Sequence, residues 1–173
     1  DTGVVDVSGN AIHGNWRTDT DEPRQIAQYG SGISGRSAVF STSQNAGIFL
    51  PTDLIAGKEA FSISVWVKKD RVDEQDKLID RHTVFDFKVL EDEVLVNLRI
   101  QEESGGNEEH SISVNANIND QNWHHYAVTF DGTRGILSIY VNGEEVHTEN
   151  VTTGRVFDNG TWPTRVGKSG GQQ

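Results

Sequence analysis

The stretch Asn122-Trp123-His124-His125-Tyr126-Ala127-Val128-Thr129-Phe130-Asp131-Gly132, followed by Leu137-Ser138-Ile139-Tyr140-Val141-Asn142-Gly143, carries two runs in which apolar and polar side chains alternate. A period of two is that of a half-buried strand, whose successive side chains point to opposite faces. Asp131-Gly132 closes the first run. Asn142-Gly143 separates Leu137–Val141 from Glu145–His147, and this is the residue pair that a two-residue hairpin turn prefers.

The same beat extends outward. Phe61, Ile63, Val65 and Val67 interleave with Ser62, Ser64, Trp66 and Lys68, and Val94, Val96, Leu98 and Ile100 with Leu95, Asn97, Arg99 and Gln101. It returns in Phe85 to Val89 and Ile112 to Val114. Glu102 to Glu109, with Gly105, Gly106 and Asn107, reads as a polar loop, and only Asp53 to Ala60 has room for a helical turn. About ten short strands with little helix predict an all-β fold: a two-sheet antiparallel jelly-roll sandwich. The 173 residues fit one domain, 1–173, with no repeat and no linker.

Composition narrows the function. Fifteen Lys and Arg against 26 Asp and Glu give a formal charge of −11, which repels phosphate backbones and anionic head groups. Nucleic acid is therefore not an expected partner, and no apolar run is long enough for membrane insertion. Cys is absent, which removes disulfides and thiolate chemistry and leaves oxygen and imidazole as metal ligands. The chain also lacks Met, so it reads as a processed chain or an excised module.

The stretch Asn122–Gly143, together with Phe61 to Lys68 and with Asp6-Val7-Ser8-Gly9-Asn10 before His13-Gly14, resembles the laminin G-like jelly rolls of the concanavalin A-like lectin and glucanase superfamily. The resemblance implies sugar or protein recognition in secreted or cell-surface proteins, often with bound calcium. Members open with an apolar strand before the Ser-Gly-Asn loop and close with one further strand. Neither is found in this sequence, so the chain reads as clipped of a first and last strand, leaving their partner strands with unpaired edges.

Side chains of the second parity, Trp66, Asp86, Lys88, Asn97, Arg99, Gln101, Ser113, His125, Ser138 and Tyr140, are expected to share one polar, ring-bearing face. Within it, Trp66, Asn97, Arg99, Gln101, His125 and Tyr140 suit a glycan, because rings stack on sugar C–H groups while amides and guanidinium groups bind hydroxyls. The alternative is that Trp66 and His125 are fold residues bonded to backbone. Trp16 and Trp162, in loop-like segments beside the similar Tyr29, mark a second binding location. Asp6, Ser8 and Asn10 place an oxygen on every second residue, as in a calcium loop or an Asx turn. Calcium would raise the melting temperature by binding only the folded state.

His124 and His125 are adjacent and point to opposite faces, so they cannot chelate one metal together. Paired carboxylates for glycoside hydrolysis are missing: Glu91-Asp92-Glu93 are consecutive acids in a turn. No Gly-x-Ser-x-Gly elbow is present. The expected function is non-catalytic glycan recognition, with a protein-binding adhesion or spacer module as the alternative. An Arg, Gln, His, Tyr lyase constellation, or a hydrolase, ranks below both.

Overall fold

The computed structural model describes residues 3–18, 28–40, 46–51, 54–69, 77–90, 92–116, 120–160 and 162–167. It is all-β. Fifteen strands are present among the described residues: β1 (Gly3–Val4), β2 (Gly14–Thr18), β3 (Gln28–Ser31), β4 (Arg36–Val39), β5 (Ala46–Leu50), β6 (Ala60–Lys68), β7 (Lys77–Arg81) and β8 (Phe85–Val89), then β9 (Glu93–Gln101), β10 (Asn107–Asn115), β11 (Trp123–Asp131), β12 (Ile136–Val141), β13 (Glu144–Asn150), β14 (Arg155–Val156) and β15 (Thr164–Val166). The surplus over the ten expected lies in strands of two to five residues, too short to show a clear alternation. Residues 54–57 form turns and no helix.

The strands make two antiparallel layers. A large sheet runs β1-β2-β5-β15-β7-β8-β9-β10, with β14 paired to β9, and a small sheet runs β13-β12-β11-β6. β3 and β4 form a separate hairpin. The two-residue strand β1 stands ahead of the Ser8-Gly9-Asn10 loop, where the sequence reading leaves no strand. Asn142 and Gly143 take positive φ (53° and 87°), the conformation a two-residue hairpin requires.

The core fills the space between the layers. Phe85, Phe87 and Val89 of β8 and Val94, Val96, Leu98 and Ile100 of β9 meet Tyr126, Val128 and Phe130 of β11 and Leu137, Ile139 and Val141 of β12. Full burial of each aliphatic or Phe side chain contributes about 1.5–3 kcal/mol relative to exposure. Arg81 is buried in the same layer. Its Nη1 donates to Phe157 O (3.2 Å) and its Nη2 to Asp158 Oδ1 (3.1 Å), so the charge is compensated.

A second, smaller cluster holds Trp16, Ala46 and Ile48, with the rings of Tyr29 and Phe40 6.4 and 5.1 Å from Trp16. At one end of the sandwich the layers are clasped by backbone: Gly132 N donates to Glu59 O (2.7 Å), Gly154 N to Gly132 O (2.9 Å) and Val156 N to Lys58 O (2.9 Å).

Candidate functional site

The small sheet turns a polar face to solvent. Registration across its strands sets Trp66 opposite His125, Ser64 opposite Ala127 and Tyr140, and Ser62 opposite Thr129, Ser138 and Thr148. Directly opposed residues share a face. Trp66 is 48% exposed, and its ring centroid lies 5.2 Å from that of His125 at 52°. Farther along the same face, past the Ser64–Ala127 pair, lies an open depression of about 620 Å³, lined by Ser62, Thr129, Ser138, Thr148, Tyr140 and Glu145. Ser138 and Thr148 hydroxyls are 2.7 Å apart, and Tyr140 Oη donates to Glu145 Oε2 (2.9 Å).

The His125 end is braced from behind. Asn142 Oδ1 accepts from His125 N (3.0 Å), while Asn142 Nδ2 donates to His124 Nδ1 (3.0 Å), which leaves His124 Nε2–H to donate to Asp120 Oδ1 (2.7 Å). Hydrogen bonds from Asn122 and His124 hold the Asp120 carboxyl well below its usual range.

Asn97, Arg99 and Gln101 do not join this face, which corrects the expectation of one shared surface. They lie on the outer side of the large sheet, across the sandwich from Trp66, His125 and Tyr140. Parity separates inside from outside in each strand, but carries no information about which sheet a strand enters. There the Arg99 guanidinium lies 5.1 Å from the Phe157 ring, and Gln101 Oε1 accepts from Arg155 Nε (3.1 Å). Trp123 and Lys68, opposed in register at the end of the small sheet, share the outward parity of Trp66 and His125 instead. The signal was available, since Trp123 has the parity of His125.

Trp16 is also reassigned: it lies on β2 and is 1% exposed, so it serves the small core and not a surface site. Trp162 remains on a loop, with its ring 4.9 Å from His82 and the Arg165 guanidinium 5.6 Å away. The same guanidinium lies 5.6 Å from Phe49. Tyr29 lies on β3, partly exposed.

The loop of Asp6, Ser8 and Asn10 satisfies itself. Asp6 Oδ1 accepts from Ser8 N (2.7 Å) and Oδ2 from Ile12 N (3.0 Å), and Ser8 Oγ accepts from Asn10 Nδ2 (3.1 Å). These bonds, the Ser8 contacts foremost, pull the Asp6 carboxyl below its usual range. The geometry is an Asx turn, one of the two readings of this loop. Among the described residues no three His, Cys, Asp or Glu side chains converge as a metal site.

The closest thing to paired acids was missed from sequence: Asp80 and Asp86 face each other on β7 and β8. Lys77 Nζ bridges them at 2.7 and 2.8 Å, Lys88 Nζ lies 3.3 Å from Asp86 Oδ2, and Arg165 Nη1 lies 3.6 Å from Asp80 Oδ2. Asp80 is 1% exposed, sealed from substrate by these cations, so the pair is a structural ion cluster. Glu91 lies outside the described residues.

Burial pushes Asp80 up to about 6, and its hydrogen bond to Asp86 adds to the rise. Burial opposes ionisation of Asp86 too, but the Asp80 and Lys77 hydrogen bonds prevail and hold it down at about 2. Folded Asp80 therefore keeps a proton that the unfolded chain releases near 3.8. Its contribution favours folding below 3.8 and is lost as pH rises to about 6. Asp86 acts in reverse: its contribution is present above 3.8 and lost as pH falls toward about 2. Asp80→Asn is thus expected to gain stability relative to the parent as pH rises from 3.8 to about 6. Urea denaturation across that range checks it, and parallel stability curves would refute it.

The laminin G-like family model of the concanavalin A-like lectin/glucanases superfamily matches residues 42–173. Domain 4 of an extracellular arabinanase from Geobacillus stearothermophilus, solved with arabinotriose, superposes with a TM-score of 0.65 at 19% identity, over 95% of this chain and 78% of that one. The binding domain of botulinum neurotoxin DC, solved with rat synaptotagmin II, gives 0.64 at 17% identity over 95% of this chain and 40% of that one. For botulinum neurotoxin type C, described as entering cells through two ganglioside molecules, the values are 0.61, 16%, 99% and 49%. The chain thus spans under half the length of these toxin chains, and at such identities the likeness is one of fold. No curated protein matches in sequence. Among the described residues no helix is long and apolar enough to cross a membrane. With its two antiparallel layers and its Trp-His-His-Tyr strand at the centre of the smaller one, the chain belongs to the laminin G-like family of the concanavalin A-like lectin/glucanases superfamily.

Proposed function

We propose that this chain is a non-catalytic recognition module that binds glycan on the outer face of the small sheet, in a secreted or cell-surface protein. One observation carries the reading: the same outer face bears an outward Trp66, tilted against His125, and, past the Ser64–Ala127 pair, a depression lined by Ser62, Thr129, Ser138 and Thr148. A ring face takes sugar C–H groups, and short hydroxyl side chains leave room for a pyranose or furanose while bonding its own hydroxyls. Tyr140, tied to Glu145, forms the wall. The arabinanase domain solved with arabinotriose supports a saccharide as the partner class.

A glycan array and calorimetric titration test the reading. Binding is expected in the parent and lost in a Trp66→Ala, Tyr140→Ala double variant of unchanged melting temperature. Retained binding in that variant moves the site elsewhere. A parent that binds no glycan but captures a protein establishes the adhesion reading, for which a toxin binding domain solved with synaptotagmin II is the structural precedent.

A further inference from the structure

We propose that the outer face of the small sheet takes several consecutive sugars of a linear, uncharged glycan, held at two separate contacts, and not a lone terminal sugar. The inference rests on the glycan-binding reading above and names the class of glycan. Two unlike surfaces share this face. One is aromatic: Trp66 stands opposite His125, with the ring centroids 5.2 Å apart. The other is the depression, where the side chains of Ser62, Thr129, Ser138 and Thr148 offer hydroxyls and Tyr140 supplies a wall. The first suits sugar C–H groups and the second sugar hydroxyls.

One row separates them, Ser64 opposite Ala127. Ser62 and Trp66 are four residues apart on β6, which at about 3.3 Å per residue sets the contacts roughly 13 Å apart. A single sugar ring is smaller than that and reaches only one of them. Both side chains of the intervening row are short, so on β6 and β11 the path between the contacts is low. Once one sugar is seated, its linked neighbours meet the second contact at high effective concentration, and affinity grows with chain length until both contacts are filled.

Charge selects among linear glycans. Asp131, Glu145 and Arg134 are the charged residues described along the depression, and Arg134 Nη1 already lies 4.0 Å from Asp131 Oδ2. Hydrogen bonds from Thr133 and Arg134 hold the Asp131 carboxyl below its usual range, so it is anionic at neutral pH. A glycan bearing carboxylates would meet like charge there, whereas neutral hydroxyls donate to both acids.

The test is calorimetric titration with arabino-, xylo-, gluco- and manno-oligosaccharides, each from monosaccharide to hexasaccharide, and with galacturonate oligosaccharides of the same lengths. In at least one neutral series, affinity is expected to rise by roughly a hundredfold from the monosaccharide to the tetrasaccharide, the low end for linked contacts, and then to level. Galacturonates are expected to bind more weakly at every length. Ser64→Ile raises an aliphatic ridge across the middle row. It is expected to abolish the gain with length while leaving monosaccharide affinity and melting temperature unchanged, because residue 64 is exposed and Ile suits a strand. Trp66→Ala is expected to flatten the series by removing one contact. Equal affinity at every length, tighter binding of galacturonates, or a length dependence that survives either variant would overturn the proposal and leave the glycan-binding reading standing. A parent that binds none of these series also overturns it, and the glycan array then decides separately whether the module binds glycan at all.

Discussion

Gly132→Ala is expected to destabilise the fold by about 3 kcal/mol, a value at the upper end for overpacking, and to lower Tm by roughly 10 °C for a chain of this size. A Cβ at position 132 would sit 1.9 Å from Gly154 O and 2.7 Å from Glu59 O. Both are backbone atoms, and both belong to the clasp in which Gly132 N donates to Glu59 O and accepts, through its own carbonyl, from Gly154 N. Neither can withdraw without breaking those bonds. Gly154 is locked in turn, since a Cβ there would meet Gln101 O at 2.2 Å. Gly143→Ala is the control. It has a positive φ of 87° with nothing within 4 Å of a Cβ, so it suffers backbone strain of about 1 kcal/mol and no collision. Equal melting temperatures for the two variants would show that the clasp does not hold the layers together.

Trp66→Ala is expected to weaken saccharide binding by about 2 kcal/mol, the scale of an aromatic anchor at a recognition site, or roughly thirtyfold in Kd. Stability is expected to change by less than about 0.5 kcal/mol, because the ring is exposed and lies outside the core. The separation of the two effects is what identifies a ligand-binding ring. A ring that merely supports the sheet would lower the melting temperature together with affinity. Calorimetry on the folded variant decides, and an unaltered Kd would remove Trp66 from the site.

The sandwich was legible in sequence where alternation was long. The runs Phe61 to Lys68 and Val94 to Gln101 gave β6 and β9, and Asn142-Gly143 gave the β12–β13 hairpin with its positive-φ pair. Strands such as β2, Gly-Asn-Trp-Arg-Thr, were hidden because five residues beginning with Gly hold too little pattern, and so Trp16 was mistaken for a loop ring. The site was half legible. Trp66, His125 and Tyr140 come together because β6, β11 and β12 are neighbours, whereas Arg99 and its companions left with β9 for the other sheet. Sheet membership is set by long-range pairing, which a local period of two cannot encode. The Asp80–Asp86 pair escaped for the same reason, since nothing local says that β7 and β8 set these two carboxyls side by side.

Two cores of unequal size have a consequence for how the molecule breathes. Among the described residues the smaller cluster has three buried members, Trp16, Ala46 and Ile48, roofed by a hairpin that belongs to neither main sheet. Cooperative units with little buried apolar surface open at lower free energy than the global transition. Amide protons of β2 and β5 are therefore expected to exchange with deuterium before those of β8 and β9, and Trp16 to become quenchable by iodide while the large core is still intact. The N-terminal third would then act as a foldon of its own, with Trp16 as its built-in fluorescent reporter.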